Sequence, residues 1–126
     1  MSLVNSIILF LVALLLGGIL IPLGFALTII ILLICDFKAC ANKLTGYFKF
    51  LAICIDQMGN VALEFGLNAV LITKNGYQFG NKMETISSAL GKNQVVGTLT
   101  KLGWVLVNIL DWINPNHCIK AINNKV

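Results

Sequence analysis

Arginine is absent from this chain, and charge of either sign is scarce: nine Lys and five acidic residues make up 11% of 126 residues, against about 25% in an ordinary soluble domain. The lysines are scattered from Lys38 to Lys125 and form no run, so the net charge of +4 builds no basic patch. Phosphate recognition leans on the forked donors of Arg, and a nucleic-acid role is therefore not expected. Also missing are a Gly-rich phosphate loop, a nucleophile elbow and a C-x2-C pair. Cys35 and Cys40 have four residues between them, and His117 stands directly before Cys118, neither of which is a zinc-ligand spacing. No metal, no cofactor and no catalytic residue is expected, and the chain reads as a non-enzyme.

What is abundant is apolar surface, at 58% of residues. From Ser6 to Cys35 thirty residues pass without a charge. At 1.5 Å per residue one straight helix of that length reaches ~45 Å, beyond a hydrocarbon core of ~30 Å. Gly17, Gly18, Pro22 and Gly24 sit in mid-run as sites of kinking or close helix packing. One long kinked or tilted span and a tight hairpin of two half-helices both fit. The single span is preferred, because a hairpin's turn has no hydrogen-bond partners in lipid. No basic residue precedes the run and no small-residue cleavage site follows it, so the segment is expected to stay on as an anchor. Lys38, Lys43 and Lys49 flank its C-terminal side, which places residues 36–126 in the cytoplasm by the positive-inside rule. A reducing compartment suits Cys35 and Cys54, which lie in apolar stretches as small hydrophobes.

Between Tyr47 and Thr73 a second apolar stretch is interrupted every fourth position, by Asp56, Asn60, Glu64 and Asn68. On one helix these form a polar stripe. Either the helix lies at the membrane interface with the stripe in water, or several copies turn Asp56 and Glu64 toward a wet lumen, with Gly59 and Gly66 permitting close approach. Asn75-Gly76 then signals a turn. Asn81 with Glu84 matches a capping box for a helix from Lys82 to about Leu90 that stops at Gly91. Leu99, Leu102, Leu106, Ile109 and Ile113 describe an amphipathic helix over Thr98–Ile113. Asn114 and Pro115 should restart a helix as cap and first residue, with His117 in its first turn. No third group orients His117 and Cys118 as a nucleophile pair.

Three segments carry a resemblance: Asp56-Gln57-Met58-Gly59-Asn60; Phe79-Gly80-Asn81 with Glu84-Thr85-Ile86-Ser87-Ser88-Ala89-Leu90-Gly91-Lys92; and Leu110-Asp111-Trp112-Ile113-Asn114-Pro115-Asn116-His117-Cys118. Over about residues 56–122 they resemble a family of small phage and prophage proteins with an ETISS-x-LGK core and a D-P-x-H-C ending. Lys82-Met83 stand where that family tends to have Pro-Asp, and Asn114 where Asp is usual, which puts a charge-dependent role for the loop in doubt. The resemblance implies a phage source and residence in the host bacterial inner membrane. It brings no enzymatic activity.

The expected architecture is an all-α membrane protein: a transmembrane segment over 1–36, a polar-striped, membrane-associated helix over 37–73 and short cytoplasmic helices over 74–126. The expected function is a homo-oligomeric assembly in the lipid bilayer that is permeabilising or lysis-associated. A non-lytic adaptor for superinfection exclusion or host takeover, binding a cytoplasmic protein through residues 74–126, and a structural component of a particle or ring are the alternatives.

Overall fold

A computed structural model describes residues 2–34 and 37–125. It is helical, with six α-helices and no strand among the described residues. Contacts divide the chain into two compact units, residues 1–46 and 47–126.

The first unit is dominated by α1, Leu3–Ile34, a helix of 32 residues with none buried. It is long and apolar enough to cross a membrane, at about 48 Å. The helix is unbroken, so the hairpin reading does not hold. Pro22 is carried inside the helix and costs one backbone rung. Thr28 Oγ1 donates to the Gly24 carbonyl at 2.8 Å, satisfying its hydroxyl without water. Side-chain atoms added at Gly18 or Gly24 would meet nothing within 4 Å among the described residues.

The second helix, α2, covers Phe37–Ala62, and its residues from Tyr47 onward belong to the second unit. It is followed after Leu63 by α3, Glu64–Val70, with a bend of 78° between them. The single helix expected over Tyr47–Thr73 is therefore two, and the break falls at Leu63 rather than at Gly59 or Gly66. After an extended stretch come α4 (Ile86–Val96), α5 (Lys101–Ile113) and α6 (His117–Ala121). An isolated antiparallel bridge joins Ile72 to Leu99, with Thr73 N–H donating to Thr98 O and Thr100 N–H to Leu71 O, both at 2.9 Å.

Leu71, Ile72, Phe79, Ala89, Leu90, Leu99, Val107 and Cys118 form the buried core around α4. Gly91 lies at the crossing of α4 and α6, where a methyl group would run into the Cys118 carbonyl. The helix does not stop there: it continues to Val96 and ends on Gly97, whose φ of 75° is the left-handed geometry that glycine adopts without strain. The division between the two units falls after residue 46. No division falls after residue 73, because side chains of α2 and α3 are hydrogen-bonded to the extended stretch before α4.

Candidate functional site

The polar stripe meets the backbone of residues 79–87. Asn60 has no exposed surface. Its Nδ2 donates to Asn81 O at 3.0 Å and Glu84 O at 2.8 Å, and its Oδ1 accepts from Gly80 N–H at 3.2 Å. Asn68 clasps Phe79 from both sides, donating to its carbonyl at 3.2 Å and accepting from its amide at 2.7 Å. The Glu64 side chain packs against the Gly80 backbone. Asp56 accepts from Ile86 N–H at 2.9 Å, and from Ser87 through its amide at 3.4 Å and its hydroxyl at 2.8 Å. The four side chains read as a water face or lumen lining are thus turned toward a segment of their own chain. Asp56 and Asn60 on α2 and Glu64 and Asn68 on α3 do not share one helix face; the bend between the helices turns both pairs to the same non-helical segment, which has no periodic signal.

Asp56 also completes the start of α4. A helix leaves its first amides unpaired. Here the first two go to Asp56 and the third, on Ser88, to Thr85 Oγ1 at 3.0 Å. A carboxylate at that end also opposes the helix dipole favourably. The cap is therefore Thr85, not Asn81, and the capping box with Glu84 does not form: Asn81 Oδ1 accepts from Met83 N–H at 3.0 Å inside a turn.

Glu84 is instead the centre of a buried cluster. Tyr77 donates its hydroxyl to Glu84 Oε2 at 2.8 Å, Ser88 its hydroxyl to Oε1 at 2.6 Å, and Lys92 Nζ stands 2.8 Å from Oε1. Lys92 also lies over the Tyr77 ring at 4.3 Å. Burial pulls the Lys92 ammonium down, but its bonds and charge contacts with Glu84 and Tyr77 outweigh this and leave its pKa raised. Ser88 Oγ accepts from Asn123 N–H at 2.8 Å, tying the tail after α6 to the cluster. Beside it, buried Asn93 uses its whole amide: it accepts from Tyr77 N–H and the Thr98 hydroxyl and donates to the Tyr77 and Ala89 carbonyls. Tyr77 and Asn93 were not legible as site residues; an Asn well inside a helix, where it is a poor former, is the one signal they leave.

At the α5–α6 corner, Asn114 ends α5 and Pro115 lies in the turn, so neither starts α6 as expected. Asn116, at φ 58°, takes the cap position, and Asp111 Oδ1 accepts from His117 N–H at 2.9 Å. His117 does begin the helix. Cys118 beside it is fully buried, and that burial, helped by the charges of Asp111 and Asp56, pushes its thiol up to about 11. A thiol held protonated inside the core is no nucleophile.

Asp56, His117, Lys49, Lys120 and Asn123 line a cleft of about 550 Å³ together with apolar Ile53 and Met83. Lys120 Nζ donates to Pro115 O at 2.7 Å on its rim. The cleft lining thus carries two lysines and one carboxylate beside apolar side chains. Among the described residues no three His, Cys, Asp or Glu side chains converge as metal ligands. Compared with protein-family models, curated proteins and solved structures, the chain matches none.

Proposed function

We propose that the chain is a small integral membrane protein that acts by assembly and not by catalysis, with α1 inserted in the host cytoplasmic membrane, residues 47–126 on the cytoplasmic side and copies associating through α1. The observation that carries this reading is a helix of 32 uncharged residues with none buried. Each large apolar side chain left in water forgoes about 1.5–3 kcal/mol, so a helix exposing Leu, Ile and Phe along its whole length requires a nonaqueous partner. Gly17, Gly18 and Gly24 offer a second copy places where backbones approach closely. Permeabilisation of the membrane is one outcome of such an assembly. A path lined by Asp56 and Glu64 would require residues 79–87 to leave α2.

The test is extraction of membranes at alkaline pH, followed by crosslinking of the detergent-solubilised chain and a dye-leakage assay on the same material. The chain should remain with the lipid, at its full mass, and crosslink to discrete oligomers. Recovery as a monodisperse species without detergent, or as a product lacking residues 1–34, removes the proposal. The cleft favours a second reading, a non-lytic adaptor. In that case leakage is absent, and Lys49→Glu with Lys120→Glu abolishes capture of a cytoplasmic partner while the chain stays in the membrane.

A further inference from the structure

The second unit carries its polarity inside out along α2 and α3. Asp56, Asn60 and Asn68 spend their polar atoms on the backbone of residues 79–87, and this is the inner face. At 100° per residue the opposite side of α2 is occupied by Phe50, Cys54, Met58 and Val61, all exposed. In α3 the outward residue is Phe65, 87% exposed. An ordinary soluble helix shows the reverse arrangement, with its apolar stripe toward the core and its polar face in water.

We infer that the outer face of α2–α3 is seated in lipid hydrocarbon, giving the chain a second membrane contact besides α1. This rests on the reading of α1 as an anchor. Three observations select lipid as the occupant. Taken together across the 78° bend, the helix pair is long and apolar enough for a membrane segment. Asp56, Asn60 and Asn68, which would otherwise forbid such a placement, have hydrogen-bond partners within the chain itself, the condition for polar groups at membrane depth, and Glu64 packs against the Gly80 backbone on the same inner side. Finally, the face is carried on the same chain as the anchor, α2 beginning three positions after α1 ends, which raises its local concentration at a bilayer that holds α1. The lipid-facing surface is therefore the side opposite the stripe, with the segment 79–87 acting as the protein wall that separates Asn60 and Asn68 from the acyl chains.

The test uses the full chain in liposomes with one reactive thiol at a time. Cys54 is native and exposed, and becomes the reporter once Cys35 and Cys40 are alanine and the buried Cys118 is retained. With Cys54 also alanine, Phe65→Cys reports on α3, Leu15→Cys on α1 and Asn75→Cys on the exposed turn. Cys54 and Phe65→Cys should react with a water-soluble maleimide at least about tenfold more slowly than Asn75→Cys, equivalent to about 1.4 kcal/mol of shielding. A fluorophore at either position should be quenched by brominated acyl chains. If both label at the Asn75→Cys rate while Leu15→Cys is shielded and quenched, the inference is overturned and the anchor stands. If Leu15→Cys is also open to water, the anchor reading fails first and takes this one with it. Shielding without quenching by bromolipid overturns lipid as the occupant and assigns the face to a second copy.

Discussion

Asn60 makes three hydrogen bonds with no surface exposed, and those bonds hold the chain over Gly80–Glu84 against α2. Replacing it by Leu leaves the Glu84 carbonyl and the Gly80 amide without partners at about 1–3 kcal/mol each where they stay buried, while the Asn81 carbonyl keeps the Glu84 amide. Asn60→Leu is expected to lower stability by about 2–4 kcal/mol, read by denaturant titration in detergent, although hydropathy alone would score it as an improvement in a membrane helix. The exposed Met58→Leu, on the opposite side, should be near neutral in the same titration. Cys118 gives a pH prediction. Its ordinary value of 9.0 is raised to about 11, so the unfolded thiol gives up its proton first and folding stability declines as pH climbs from 9.0 to about 11. Below 9.0 the contribution is complete. Cys118→Ala should flatten that alkaline limb, and in the native chain the thiol should resist alkylation at about pH 8, below its raised value, until denaturant is added. The residues behind these predictions were only half legible. Spacing showed the recurrence of the stripe but not the bend that divides it between α2 and α3, and most of the partners it meets are backbone groups, which have no letter in a sequence.

Among the helices, α4 depends on a cap from a distant element. Asp56 lies about thirty positions upstream of the amides it receives. Asp56→Ala is expected to cost about 1–2 kcal/mol and to fray the first turn of α4, visible as faster amide exchange at Ile86 and Ser87. Asp56→Asn keeps an acceptor and should recover part of that loss. Where α4 crosses α6, Gly91→Ala pushes a methyl group into the Cys118 carbonyl, and a loss of about 2 kcal/mol or more is expected, with α6 displaced. Local patterns located α1 and α5 because hydrophobic periodicity acts within a few residues, while turn chemistry set the first residue of α6 at Pro115 instead of His117. They misplaced the start of α4, where Asn81 and Glu84 have the spacing of a capping box but Glu84 is drawn into the core by Tyr77, Ser88 and Lys92. The bend at Leu63 had no proline or glycine to announce it. It sets Glu64 and Asn68 against Phe79–Gly80, a contact made across more than ten residues.

For the molecule as a whole, the proposed insertion of α1 with residues 47–126 in the cytoplasm makes a topological prediction. In sealed vesicles a membrane-impermeant amine reagent should modify exposed Lys82 and Lys125 from the cytoplasmic face only, and modification from the opposite face would reverse the assigned orientation. The apolar run was legible from its first residues because thirty uncharged positions outweigh any local detail. The division after residue 46 was not, since it arises from pairings between segments and from no change in composition. Those pairings also order the birth of the protein. While Tyr47–Val70 emerges from the ribosome, the amides and carbonyls that Asp56, Asn60 and Asn68 will grip are still inside the exit tunnel, the farthest of them at Ser87. A nascent chain arrested short of that point presents bare carboxylate and amide side chains to the insertion machinery, and is expected to crosslink to it persistently, releasing only when Ser87 clears the exit tunnel.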